Sequence, residues 1–206
     1  VDLARLDVED RVAGTFLEGA PVVATDVPAG LGLSDLAQAL DVLLASTPSA
    51  EDGGRPRLWV DRSFAAKGAG TVVTGTLTGG GLRVGDQVEG HPLGANARIR
   101  ALQCHHEEWE ELPPGTRCAV NMVGVSHRDV HRGDVLVRPG QWHLTTVVDA
   151  SLQVLDQLDH AVSRRGAHVA YLGAGEHPVR MRILGPDGLD PGQEGSVRLF
   201  LPRSLP

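Results

Sequence analysis

Hydrophobic and polar residues alternate at the start of a long stretch running from Arg57 to Val88. Leu58, Val60 and Phe64 interleave with Trp59, Asp61 and Ser63, the two-residue period of a half-buried strand. Lys67, Gly68, Ala69 and Gly70 then turn the chain, because glycine takes backbone angles that other residues avoid. Residues 71–77 are β-branched and predict a second strand. After the turn at Gly79, Gly80 and Gly81, the Val84-Gly85-Asp86 segment enters a third. Further strands are predicted over 97–102 and 117–124, with Pro113-Pro114-Gly115-Thr116 as the turn between strand pairs and Arg132 to Leu136 as the closing strand. Beyond Trp142, residues 145–150, 168–172, 179–183 and 196–201 are again strand-like.

The period changes in the first 48 residues. Val8, Val12 and Phe16 recur at helical spacing. Residues 21–25 form a short apolar run suited to a buried parallel strand. Ser34 offers an N-cap to a second helix that lines up Leu36, Leu40, Leu43 and Leu44. Strand, glycine loop and helix is the form of the last unit of a nucleotide-binding domain. Residues 47–56, rich in proline, glycine and charge, read as a linker.

Composition narrows this picture. The 206 residues suffice for one large domain or two small ones, and 26 glycines and 13 prolines suit many short strands. Aromatic residues are only 3%, which argues against base stacking of the kind used by RNA-recognition sheets. The net charge of −7 resides in residues 1–55, so a grip on RNA must come from local basic patches in the electrically balanced remainder. Two cysteines, Cys104 and Cys118, fit a reducing cytosol and read as small buried residues. No signal peptide or spanning segment is visible, so a cytoplasmic protein without membrane partners is expected. The chain begins with valine, which leads to the expectation of a fragment.

The segment VDRSFAAKGAGTVVTGT, the glycine turn and VGD resemble the start of the second-domain β-barrel of translational GTPases. The Asp-Arg pair before the phenylalanine makes the resemblance closest to the SelB-type selenocysteine-specific elongation factors. RGD-x-L at Arg132 to Leu136 is similar to the end of that barrel, and PVVATDVPAGLGLSDL resembles the closing element of the GTPase domain, with Asp26-Val27 where Ser-Ala is usual. The resemblance implies an α/β fragment, the end of a P-loop GTPase domain, followed by two all-β antiparallel barrels. Residues 1–48 would be the C-terminal part of the GTPase domain, 49–56 a linker, 57–139 the second-domain barrel and 140–206 a truncated third-domain barrel. It implies a protein that binds selenocysteinyl-tRNA and delivers it to the ribosome at recoded UGA codons, with a selenoprotein mRNA hairpin held by domains absent here. GTP and Mg²⁺ would serve the full-length protein. No GxxxxGK[ST] phosphate loop occurs in these residues, so none is expected in this chain alone.

The resemblance also nominates residues. Asp61, Arg62 and Arg117 match the charged positions of the aminoacyl pocket. A selenol is more acidic than a thiol and arrives largely as an anion, and arginine is a permanent cation with several donors. A hydrogen bond to a charged group contributes about 1.5–3 kcal/mol, on the order of 10- to 100-fold selectivity over serine. Asp61 would meet the free α-amino group. Strict alternation puts Asp61 and Arg62 on opposite faces, so either a bulge intervenes or only one of them lines the pocket. Lys67, Gly68, Arg164, Arg165, Arg180 and Arg182 are the candidate tRNA contacts, with His168 and His177 in the same basic cluster. Asp2 matches the guanine-recognition aspartate. His105, His106, Glu107 and Glu108, with His127 and His131, follow no zinc spacing and read as a solvated loop face, so no metal is expected. No nucleophile signature appears. The alternatives are an elongation factor Tu or initiation factor 2 relative, or a GTPase that uses its barrels for protein contacts.

Overall fold

The computed structural model describes residues 1–66, 68 and 70–206, so the expectation for Lys67 lies outside the described residues. The chain divides into two compact units. The first holds residues 1–48 together with 153–162 and 189–194, and the second holds the rest.

In the first unit, α1 spans Asp2–Val12 and α2 spans Leu33–Ser46. The predicted stripe in α1 does not carry through to Phe16. The helix stops at Val12, Ala13 leaves helical geometry, Gly14 turns at φ +70, and Phe16 is 95% exposed. Gly32, not Ser34, stands at the N-cap of α2, and its leucine face is open, with Leu44 70% exposed. The strand expected over 21–25 does not form. A parallel strand needs neighbours for its backbone groups, and the described residues 1–48 contain only the isolated bridge Asp26–Leu31. The expected α/β layer is therefore two helices without a sheet.

The strands predicted from residue 57 onward all appear. In chain order they are β1 (Arg57–Ala66), β2 (Gly70–Thr78), β3 (Leu82–Arg83), β4 (Gln87–His91), β5 (Ala95–Cys104), β6 (Glu107–Trp109), β7 (Glu111–Leu112), β8 (Arg117–Val123) and β9 (Val135–Val137). After them come β10 (Thr145–Gln153), β11 (Val162–Ser163), β12 (His168–Leu172), β13 (Gly175–Ile183), β14 (Gly188–Leu189) and β15 (Glu194–Leu205). The order β4-β9-β1-β2-β8-β5 closes on itself through the β4–β5 pairing, giving a six-stranded barrel, and β6 adds to β5 outside the ring. Leu58, Val60, Val73, Leu77, Val88, Val120 and Met122 fill its interior at 1% exposure or less. Each such side chain contributes about 1.5–3 kcal/mol by leaving water.

Of the strands after Trp142, where a truncated barrel was expected, β10-β15-β13-β12 form a four-stranded sheet and β11-β14 a two-stranded one. Along β13, Val179, Met181 and Ile183 are buried while Arg180 and Arg182 are exposed. Barrel and sheet share the second unit. Trp59 packs against Val179, Leu201 and Leu205. Gly173 lies directly on the Trp59 ring, where a Cβ would come within 2.0 Å of it. Arg203 on β15 donates to the buried carboxylate of Asp134 at 2.8 Å and to the Gly133 carbonyl at 3.1 Å. Trp142 is stacked by the guanidinium groups of Arg55 at 4.3 Å and Arg57 at 4.6 Å, cation–π contacts of about 0.5–2 kcal/mol each.

Candidate functional site

The pairing of β1 with β2 slips by one residue between Val60, opposite Gly75, and Arg62, opposite Thr74. Asp61 is the extra residue, and a bulge of this kind re-aims the side chains that follow. Directly paired residues point to the same face, so Arg62 joins Thr74 outside the barrel. Phe64 also swings outward, to 43% exposure, instead of continuing the core stripe of Leu58 and Val60. On the far side of β2, Arg117 faces Thr76 and Ala119 faces Thr74. The bulge thus brings Asp61, Arg62 and Arg117 to one outer face, the first of the two alternatives that strict alternation left open.

On this face Arg117 donates from Nη2 to Asp61 at 2.8 Å, and the Thr74 hydroxyl donates to the other carboxylate oxygen of Asp61. Asp61 is mostly buried, and Arg117 keeps 58% of its side chain exposed with further donors free of Asp61. Arg62 is exposed and makes no ion pair among the described residues.

The histidines read as a solvated loop stand beside this pair. Cys104 pairs with Glu107, so His105 and His106 are a two-residue hairpin loop. Both have positive φ, 51° and 68°, alone among the described non-glycine residues. That is the backbone of a type I′ turn, which Asn-Gly usually supplies. The turn, Thr74, Gln103, Cys104, Arg117, Cys118 and Ala119 line a groove of about 310 Å³. Sequence reasoning missed this wall because His-His carries no turn signal. Across Gln103 and Ala119 the face continues into an apolar groove of about 300 Å³ lined by Phe64, Ala66, Val72, Leu102 and Asn121. The Asn121 Oδ1 is buried there without a hydrogen-bond partner.

Residues 70–137 match the family model of elongation factor Tu domain 2. The whole chain aligns at 34% identity with a selenocysteine-specific elongation factor of Desulfomicrobium baculatum, spanning 32% of that relative. The chain is thus similar along its whole length to selenocysteine-specific elongation factors. An elongation factor 1-alpha of Pyrobaculum arsenaticum is 38% identical over 70% of the chain and 33% of its own length. The chain therefore spans about a third of the length of these curated relatives. The fold is that of the apo translation elongation factor SelB crystal structure from Methanococcus maripaludis, with TM-score 0.83, 19% identity and coverage of 99% of this chain and 48% of that one. A bacterial selenocysteine-specific elongation factor structure gives TM-score 0.78 at 24% identity, over 99% of this chain and 33% of that one.

The remaining residues nominated from the elongation-factor resemblance are scattered. Gly68 is exposed, at φ +79, with open space where a Cβ would stand. Arg164 and Arg165 are exposed in the turn after β11. Arg180 stacks over Phe200 at 5.3 Å, and Arg182 stands opposite Arg198, which Asp149 grips with two hydrogen bonds. His177 does not join this cluster. It is 1% exposed, on the inner face of the sheet beneath Gly175, and its Nε2 has no partner. Burial and nearby Arg203 pull its pKa below the usual imidazole value. His168 bonds the Ser163 carbonyl at 3.0 Å. Asp2 is an exposed first-turn acid of α1. No cluster of metal-ligating side chains occurs among the described residues, and no helix is long and apolar enough to cross a membrane.

Proposed function

We propose that this chain is the acceptor-arm-binding part of a translation factor that carries selenocysteinyl-tRNA to the ribosome at recoded UGA codons. The observation that carries the proposal is the outer-face constellation of Asp61, Arg62 and Arg117, assembled by the bulge beside two grooves. Arg117, oriented by Asp61, offers free donors to a selenolate. Asp61 would exchange part of that pairing for the α-amino group of the aminoacyl ester. The apolar groove suits a flat base, and the free Asn121 Oδ1 would accept from an exocyclic amine. Gly68, Arg164, Arg165, Arg180 and Arg182 would meet the tRNA backbone, positioning it without reading sequence, and Lys67 belongs to the same proposal. What speaks for the selenocysteine branch within the family is the 34% identity along the whole chain with a factor of that name.

In this reading residues 1–48 end a GTPase domain, 57–139 are its second-domain barrel and 140–206 belong to its third domain. GTP and Mg²⁺ would be held outside these residues. Asp2 is a single exposed carboxylate, and the sequence carries no phosphate loop, so the residues present do not make a nucleotide site. The messenger hairpin and the ribosome would be partners of the whole protein, acting in the cytoplasm.

The test uses the chain restored to full length with GTP. Selenocysteinyl-tRNA and seryl-tRNA on one tRNA body are titrated against wild type and Arg117→Ala. The expected result is a preference for the selenocysteinyl form of about tenfold or more, mostly erased in Arg117→Ala. Equal binding of both tRNAs by wild type would overturn the pocket assignment, and binding of neither would favour a GTPase that uses its barrel for protein contacts.

A further inference from the structure

We propose that Cys104 and Cys118 are a redox-responsive pair that closes into an intramolecular disulfide at the end of the barrel, beside Arg117. The β5–β8 ladder runs Ala101 to Asn121, Leu102 to Val120 and Gln103 to Ala119. The next facing position in that register is Cys104 against Cys118. Facing residues of an antiparallel pair have Cα atoms about 4.5–5.5 Å apart, inside the span a disulfide bridges. The Cys104 thiol donates to the Arg117 carbonyl at 3.5 Å, the carbonyl bonded directly to the Cys118 nitrogen. Both side chains pack on the barrel core and both line the groove. Both are free thiols in this structure.

The two thiols have unequal access. Cys104 is partly exposed at the groove, and Cys118 is 3% exposed. Burial first, then nearby Cys104, pushes the Cys118 thiol up to about 12. Because the thiolate is the nucleophile, Cys104 reacts first. Its thiolate attacks one sulfur of a low-molecular-weight disulfide, releasing one small thiolate and leaving a mixed disulfide on Cys104. The Cys118 thiolate then attacks the Cys104 sulfur and releases the second small thiolate. The protein loses two protons and two electrons, and the small disulfide is reduced to two thiols. The second step waits on the Cys118 thiolate, whose formation burial disfavours, so it speeds up as pH rises. The bond staples the His105–His106 turn to the strand bearing Arg117. The chemistry stands on the ladder alone, and only its effect on the groove's occupant rests on the tRNA reading.

The experiment treats the reduced 206-residue chain with glutathione disulfide over a pH series, blocks residual thiols with iodoacetamide, and maps non-reduced peptides by mass spectrometry. The expected product is a peptide pair joined through Cys104 and Cys118. It should be preceded by a glutathione adduct on Cys104, and Cys118→Ser should stop at that adduct. A wild-type endpoint with glutathione retained on Cys104 and Cys118 alkylated on unfolding would overturn the proposal. So would bridges formed only between chains, or no reaction at Cys104. Since the readout is covalent, its failure leaves the tRNA titration unaffected, and a failed titration leaves the disulfide result standing.

Discussion

At the scale of single residues, the site depends on one residue of register. Asp61 has no partner of its own in the β1–β2 ladder, and that extra position turns Arg62 outward and frees Phe64 from the core stripe. Deleting Asp61 removes the bulge and leaves Val60 opposite Gly75 and Arg62 opposite Thr74 in unbroken alternation, so it takes away the carboxylate that orients Arg117 while Arg62 stays on the outer face. The lost carboxylate accepts from Thr74 and from the half-exposed Arg117, so urea unfolding should show a loss of about 1–2 kcal/mol, with the midpoint displaced and the slope held. Asp61→Ala keeps the bulge and loses the same carboxylate, so a similar cost is expected, and a larger loss on deletion would assign the difference to the backbone register. The family resemblance nominated Asp61, Arg62 and Arg117 from the sequence as candidate pocket residues. Their shared face was not legible, because a bulge is a property of two strands and only one of them is visible in any local window.

The hairpin between β5 and β6 makes the same point at the scale of elements. The longer strands from residue 57 onward could be anticipated from alternation and glycine turns, but β6, whose turn is written His-His, and the two-residue strands β3, β7, β11 and β14 could not. Replacing His105 and His106 by Asn-Gly supplies the residues that a type I′ turn prefers. The double variant should stabilise the barrel by about 0.5–1 kcal/mol in urea unfolding. In the full-length protein it should weaken whatever the groove holds, because one wall loses both imidazoles. A gain in both stability and tRNA affinity would show that the histidines only fill space. The front of the chain was the least legible part. The run at 21–25 has a strand's composition, but composition cannot supply ladder partners, and none of the described residues 1–48 provides them.

Over the whole molecule, barrel and sheet are joined by a small number of close contacts. Gly173 has φ +58 and touches the Trp59 ring. Gly173→Ala combines left-handed backbone strain with overpacking, and should cost about 2–4 kcal/mol by thermal unfolding. His177 adds a pH dependence to the same region. Its folded pKa lies below its unfolded value, so the unfolded chain takes up a proton first as pH falls. Its contribution is constant above the unfolded pKa of about 6.5 and is lost progressively on acidification through the folded value. Thermal midpoints between pH 8 and pH 5 should fall less steeply for His177→Gln than for wild type. Parallel slopes would refute the role of His177. The tryptophans give this architecture an unplanned optical use. Trp142 lies between two arginines, Trp59 lies under a glycine, and Trp109 stands 47% exposed on the strand that follows the histidine turn. The three fluorophores therefore sample three different environments, and single-tryptophan versions of the protein would read linker, sheet docking and the β5–β6 hairpin separately by emission wavelength, without any attached dye.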